Sequence, residues 1–443
     1  MRQSAAFWLT HYNSPMKLAP SLFLGFSLFS HAVIAQDASK PSAPSQPQPK
    51  SVTVPITLDH NRVVIDVYLP LADGSSKRVR GWVDTGNSDL WMSRRVATLM
   101  GLTVDCGEKT CSATGSLHEI VIGGMNVSLA NLKQAKIMVK SDQAQDVMIP
   151  GMSAEINIPS TILRNYAIVV NFPDREFTIG APGSVKFNGM SGKIFVNPEN
   201  GLVQVPCKID NKSYNLGLDV GASISFLSQD VFDKLAASHP QWPRMTGAVG
   251  PANMWGANDE PQWKLLRLER LQYGPQFLSG SAMASTPPDA SAFLEKRAGI
   301  TTAGLLGSNA LLNYRIAIDY AHKMAYFEIG TTFKAPDFDV VGLILRPETD
   351  GRFTVIGVAD FEGKPSAPEV QAGDRLIAVD NIPAPGSTMG QVWSLLEGMP
   401  GQERKLTLER GGKQFTVAAK VQHFLGGEAP EKKEKREKQN FKN

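Results

Sequence analysis

Two aspartates in this sequence stand where they could work as a pair. Asp84 lies in Gly81-Trp82-Val83-Asp84-Thr85-Gly86-Asn87-Ser88-Asp89-Leu90-Trp91, and Asp219 in Gly217-Leu218-Asp219-Val220-Gly221-Ala222-Ser223-Ile224-Ser225-Phe226. Each follows an apolar run that reads as a buried strand and precedes a glycine turn, a setting that holds a carboxylate rigidly at a strand end. Two carboxylates a few ångströms apart cannot both ionise cheaply, so one keeps a proton and their apparent pKa values split. The charged partner can take a proton from water, while the protonated partner polarises a carbonyl and later protonates a leaving amine. That chemistry needs no metal, cofactor or covalent intermediate. The competing reading, two aspartates that merely cap turns, weakens because the whole frame is repeated.

The elements that must position the pair are duplicated too. Val63 to Leu69 reads as a strand, Ala72-Asp73-Gly74-Ser75 as a turn, and Val79 to Val83 as the return into Asp84; Leu202 to Val205 leads through an Asp210-Asn211 turn to Tyr214–Leu218 and Asp219. Downstream, Ile149-Pro150-Gly151 and Leu305-Leu306-Gly307 are matching apolar-x-Gly strand ends, each followed by a short helix-like stretch. A final hairpin closes each half: Asn165–Phe172 with Phe177–Gly180, and Asn313–Tyr320 with Phe327–Gly330. Internal duplication is better evidence than either Asp-x-Gly triplet alone.

Over roughly Ser51 to Thr332 the chain resembles the pepsin-like and retropepsin-like aspartic proteases, through Val83-Asp84-Thr85-Gly86-Asn87-Ser88, Leu90-Trp91, Leu218-Asp219-Val220-Gly221-Ala222-Ser223, Gly151 and Gly307. The resemblance implies a mostly β, two-lobed acid protease fold whose Asp84 and Asp219 loops meet at a pseudo-twofold axis beneath a peptide cleft. It makes Thr85, Gly86, Asn87, Val220, Gly221, Gly151 and Gly307 supports of the dyad. It also makes Thr114, Gly115 and Ser116, with the return at Ile122-Gly123-Gly124, the flap, although no Tyr stands where pepsin-like flaps carry one. In the family a hydroxyl after each Asp bonds the opposite loop; Thr85 has one and Val220 does not. Asn87 offers a polar group to its aspartate and Ala222 none. Two functions follow: an endopeptidase acting on polypeptides, or an inactive peptide-binding pseudoprotease that keeps the fold. A serine-protease reading of Gly86-Asn87-Ser88 fails, because Asp89-Leu90 replaces the glycines of an oxyanion hole and His60 lies too near in sequence.

With 443 residues the chain exceeds one ordinary domain. A net charge of +3 gives no basic surface that calls for nucleic acid, and 39 Gly with 29 Pro favour a turn-rich β protein. Leu18 to Ala35 is an apolar run after Lys17, ending in small residues suited to cleavage before Gln36, with Met16 an alternative start. It is short and interrupted for a spanning helix. The mature chain is therefore expected to be exported, periplasmic or secreted, without a membrane span. Cys106 and Cys111 bracket a turn-like insert and are a disulfide candidate, leaving Cys207 as a buried thiol.

After Pro336 the pattern changes, and about Asp339 to Val421 resembles a bacterial-type PDZ domain (α+β) through Gly373-Asp374-Arg375-Leu376 and Val379-Asp380-Asn381. That resemblance implies peptide capture at Gly342, Leu343, Ile344 and Leu345 by strand addition. One glycine makes a poor carboxylate nest, so binding of internal segments, or plain packing on the lobes, stays open. The expected division is a signal peptide at 1–35, a Pro/Ser/Gln linker at 36–50, lobes at 51–183 and 184–335, a PDZ domain at 336–422 and a charged tail at 423–443.

Overall fold

The computed structural model describes residues 49–106, 111–130, 132, 137–139, 147–269, 271–278, 281–286, 288–331 and 338–426. The expected signal peptide, nearly all of the linker, the Gly107–Thr110 insert and Glu428–Asn443 lie outside them. The fold is mostly β.

Each aspartate arrives on a hairpin. Arg62–Pro70 pairs with Ser76–Asp84, and Val203–Ile209 with Lys212–Leu218 through a turn in which Asp210 and Asn211 take positive φ. Both runs start buried on both faces, Arg62 to Ile65 and Val203 to Val205, and then alternate buried and exposed towards the turn. The strand that ends at Asp84 lies between Arg62–Pro70 and Ile156–Pro159; beyond these come Glu119–Ile122 and Met125–Ser128 on one side, and Trp91–Met92, Ile137–Val139, Cys111–Thr114 and Thr103–Cys106 on the other. The strand that leads to Asp219 repeats this order place for place. Val203–Ile209, Leu271–Tyr273 and Gln276–Phe277 flank it on one side, and Gly304–Leu306, Ser225–Ser228, Ser281–Thr286, Lys264–Leu268 and Arg244–Thr246 on the other.

The final hairpins join the halves. Ala167–Asn171 with Glu176–Gly180, and Tyr314–Asp319 with Met324–Ile329, form a six-stranded sheet edged by Ser51–Pro55 and Met190–Lys193. Its central pair is antiparallel, Val169 facing Ala317. One apolar core runs through both halves, from Val63 and Ile65 to Ile316 and Phe327.

Residues 338–426 build a further sheet from Leu343–Pro347, Phe353–Val358, Arg375–Val379, Glu403–Arg410 and Lys413–Lys420, with the helix Met389–Leu396. This helix starts in a capping box between Thr388 and Gln391. The sheet shares its core with the second half: Ile224, Phe226, Val249 and Met254 belong to one cluster with Leu343, Leu345, Val392 and Leu408. No described helix is long and apolar enough to cross a membrane.

Candidate active site

The two aspartate loops interlock. Thr85 Oγ1 donates to the Leu218 carbonyl (2.8 Å) and accepts from the Val220 N–H (3.0 Å). Val220, fully buried, returns no side-chain bond. Instead the Trp82 indole Nε1 donates to the Gly221 carbonyl at 3.2 Å. The second loop is braced from its own side by Ser308, whose Oγ donates to the Val220 carbonyl (2.9 Å) and whose N–H donates to the Ala222 carbonyl (2.8 Å). Gly86 and Gly221 each press on the opposite aspartate, leaving no room for a methyl group at Gly86.

Asp84 is 1% exposed and Asp219 9%. Burial, then the charge of Asp219, raises Asp84 well above the ordinary carboxylate range, against donors on Asn157 and Asn87 and the charge of Arg297. Burial also raises Asp219, but backbone N–H groups of Gly221, Ala222 and Gly86 pull it down. Asp219 is thus the better-stabilised anion, and Asp84 the partner that keeps the proton. A cavity of about 30 Å³, room for about one water, borders Asp219, Thr85, Gly86 and Arg297.

Four residues at this site carry no signature in the motifs. Asn157, buried between Ile156 and Ile158, donates from Nδ2 to Asp84 Oδ2 (3.2 Å) and to the Asp89 carbonyl (3.0 Å), and accepts from the Trp91 N–H (2.7 Å). A polar residue inside an otherwise apolar buried strand was the signal for it. Arg297, from the helix Pro288–Ala298 of the second half, donates to Asn87 Oδ1 and Ser88 Oγ, both at 2.7 Å. Arg62, 1% exposed, sends its Nη2 to the Met254 carbonyl and its guanidinium over the Trp255 ring at 4.6 Å, where Asp59 first, then Glu260, Asp219 and Asp84 attract it. Trp255 in turn meets Trp82 edge to face.

Several expected positions differ. In the second half Leu306 pairs in parallel with Leu218, which puts Gly307 beside Asp219; in the first half Ile158 pairs with Val83 and Pro159 with Asp84. The counterpart of Gly307 is therefore Pro159, not Gly151. Gly151 instead meets the C-terminal sheet: a methyl there would strike Pro347 at 2.7 Å, and its carbonyl accepts from the Met389 N–H. Thr114, Gly115 and Ser116 lie at the foot of a hairpin, Thr114 opposite Thr103 and Gly115 against Leu102, rather than at a flap tip. Cys106 and Cys111 face each other in that hairpin and are disulfide-bonded, and Cys207 is free and buried.

Leu343, Ile344 and Leu345 are buried, not open to a groove. The Leu343 N–H donates to the Val341 carbonyl and the Val341 N–H to the Leu396 carbonyl, so neither is offered to a carboxylate. Gly342 is packed against Ser366 and Phe424.

No protein-family model and no curated protein sequence matches the chain. Among solved structures, an aspartic proteinase from Irpex lacteus is similar over 63% of this chain and 98% of its own, at 14% identity and a TM-score of 0.38.

Proposed function

We propose that the chain is an aspartic-type endopeptidase whose Asp219 draws a proton from water while protonated Asp84 polarises the scissile carbonyl and later protonates the leaving amine. The observation that carries this reading is the interlock: two aspartates from duplicated strands, each packed on the other's glycine, with environments that push their proton affinities apart. The substrate is an extended polypeptide. We take residues 51–183 and 184–335 as its two lobes and 336–422 as a PDZ domain that recognises peptides by strand addition. Export to the periplasm or medium is supported by the apolar run before Gln36 and the Cys106–Cys111 disulfide. Hydrolysis of a denatured protein from about pH 3 to pH 7 by the chain starting at Gln36 tests it. Cleavage that a statine-type analogue blocks and Asp219→Asn abolishes is the expected result.

The burial of both carboxylates within the electrostatic reach of buried Arg62, together with Val220, favours a second reading, a pseudoprotease that binds peptides without cleaving them. Peptide binding by a folded protein that cleaves nothing at any pH would establish it.

A further inference from the structure

The free edge of the C-terminal sheet already has an occupant. Leu343–Pro347 is its last strand, paired on one side with Phe353–Val358. On the other side the Leu345 N–H donates to Asn253 Oδ1 at 2.7 Å, and the Leu345 carbonyl accepts from Asn253 Nδ2 at 2.9 Å. These are the two bonds one residue of an added strand would make. Asn253 makes them from the second half, in the connection between the strands Arg244–Thr246 and Lys264–Leu268. Its neighbours Ala252 and Met254 lie in the apolar cluster that includes Leu343 and Leu345 of the strand and Val392 and Leu396 of the helix. Buried Glu260 fixes this loop, accepting from the Asn253 amide and from the Trp255 N–H (2.8 Å).

The same loop also reaches the residues around the dyad. Asn253 holds the edge strand, the Met254 carbonyl holds the Arg62 guanidinium, and the Trp255 ring lies beneath it and against Trp82, whose indole is bonded to the Asp219 loop. The Arg62 Nε–H is buried without a hydrogen-bond partner. One short stretch of chain therefore touches both the sheet edge and the Arg62 and Trp82 side chains that neighbour the aspartate loops.

We propose that the loop 247–263 is a latch: an extended peptide segment that adds to Leu343–Pro347 must displace Asn253, and in doing so withdraws Met254 and Trp255 and uncovers Asp84 and Asp219. The ligand is an extended polypeptide, held by main-chain bonds to Leu345 and by an apolar side chain in the place of Met254. It opens the latch only by the difference in its affinity for the open and closed forms. The meaning of opening as activation rests on the peptidase reading; the opening itself does not.

Hydrogen exchange on the wild-type chain from Gln36 is the first test. The amides of Leu345 and Trp255 are expected to exchange together, at least roughly tenfold faster than those of Lys212–Leu218, as a sub-global opening. Exchange only in step with that strand would overturn the latch. Asn253→Ala removes both bonds to Leu345 and gives the second test, read by labelling the dyad with 1,2-epoxy-3-(4-nitrophenoxy)propane and mapping the adduct by mass. A carboxylate oxygen attacks an epoxide carbon, the ring C–O bond breaks, and the alkoxide takes a proton from water, so no turnover is needed. Labelling at least about 5-fold faster than wild type is expected, with a parallel rise in kcat/KM on a quenched peptide. Loss of Leu345 protection with unchanged labelling would overturn the coupling. Faster labelling without cleavage by either protein would leave the latch standing and refute the peptidase. Finally, a synthetic extended peptide of alternating Val and Thr added to Asn253→Ala is expected to restore protection at Leu345; no protection up to its solubility limit would overturn strand addition.

Discussion

A methyl group on Gly86 would stand 2.1 Å from Asp219 Oδ2 and 2.2 Å from its Cγ, whereas one on Gly221 would meet Asp84 Oδ1 at 2.9 Å. The two contacts cross between the loops but are unequal. At Gly86 the intruding carbon would displace the carboxylate itself; at Gly221 it would press less closely, on Asp84 Oδ1 at 2.9 Å, Trp82 Nε1 at 3.0 Å and Asp219 Oδ1 at 3.1 Å.

Gly86→Ala is accordingly expected to lower kcat/KM by at least about 100-fold, and Gly221→Ala by less than about 10-fold. Steady-state kinetics on one peptide compares them. Equal losses would mean that the two carboxylates are not held by the glycine contacts.

The pH dependence of stability carries the sign of the buried pair. Burial first, and the Asp219 charge second, raise Asp84 from 3.8 to about 8. The folded chain thus keeps a proton that the unfolded chain has released, and stability falls as pH climbs from 3.8 towards 8. Asp84→Asn removes the share of this slope that belongs to Asp84 and leaves that of Asp219, which burial also raises. In scanning calorimetry its Tm at pH 8 should exceed that of wild type by on the order of 3 °C, while cleavage is lost. A wild-type Tm that tracks the variant across this range would contradict the assignment.

Val220→Thr restores a hydroxyl where the other loop has Thr85. The repeated register makes the Val83 carbonyl the counterpart of the Leu218 carbonyl that Thr85 bonds, and so the acceptor expected for the new hydroxyl. The variant should be as stable as wild type or more so, by up to about 1 kcal/mol, with kcat unchanged or raised. Denaturant unfolding showing a loss above about 1 kcal/mol would mean the hydroxyl finds no acceptor.

Asn157→Leu removes a donor that lowers the proton affinity of Asp84. With Asp84 as the acid, the basic limb of the pH–rate profile moves to higher pH. The variant also forfeits the Trp91 N–H bond, at a cost of roughly 1 to 3 kcal/mol. A profile that keeps its limb while kcat falls would assign Asn157 a structural role alone.

The hairpins into Asp84 and Asp219 were legible because turn chemistry and alternation are local, and the closing hairpins because they recur. The Gly151 expectation failed for a local reason too: it sought a glycine, and the strand that pairs with Asp84 carries Pro159 there. Arg62, Arg297 and Trp255 reach the site from a strand, a helix and a loop in different parts of the chain, which no periodicity encodes. The C-terminal strands fall close to the apolar runs that announced them, but the burial of Leu343 to Leu345 depends on a loop from the other half of the chain.

Ala167–Asn171 and Arg315–Asp319 pair about Val169 and Ala317 as two copies of one chain would across a twofold axis. In a dimer of identical halves every substitution occurs twice, and the two carboxylates stay equivalent until a proton or a substrate breaks the tie. A single chain holding both halves is free of that rule. Thr85 against Val220, Asn87 against Ala222 and Pro159 against Gly307 are differences that only fused halves can maintain. They make the inequality of the aspartates heritable, so that the proton's position is written into the chain before any substrate arrives.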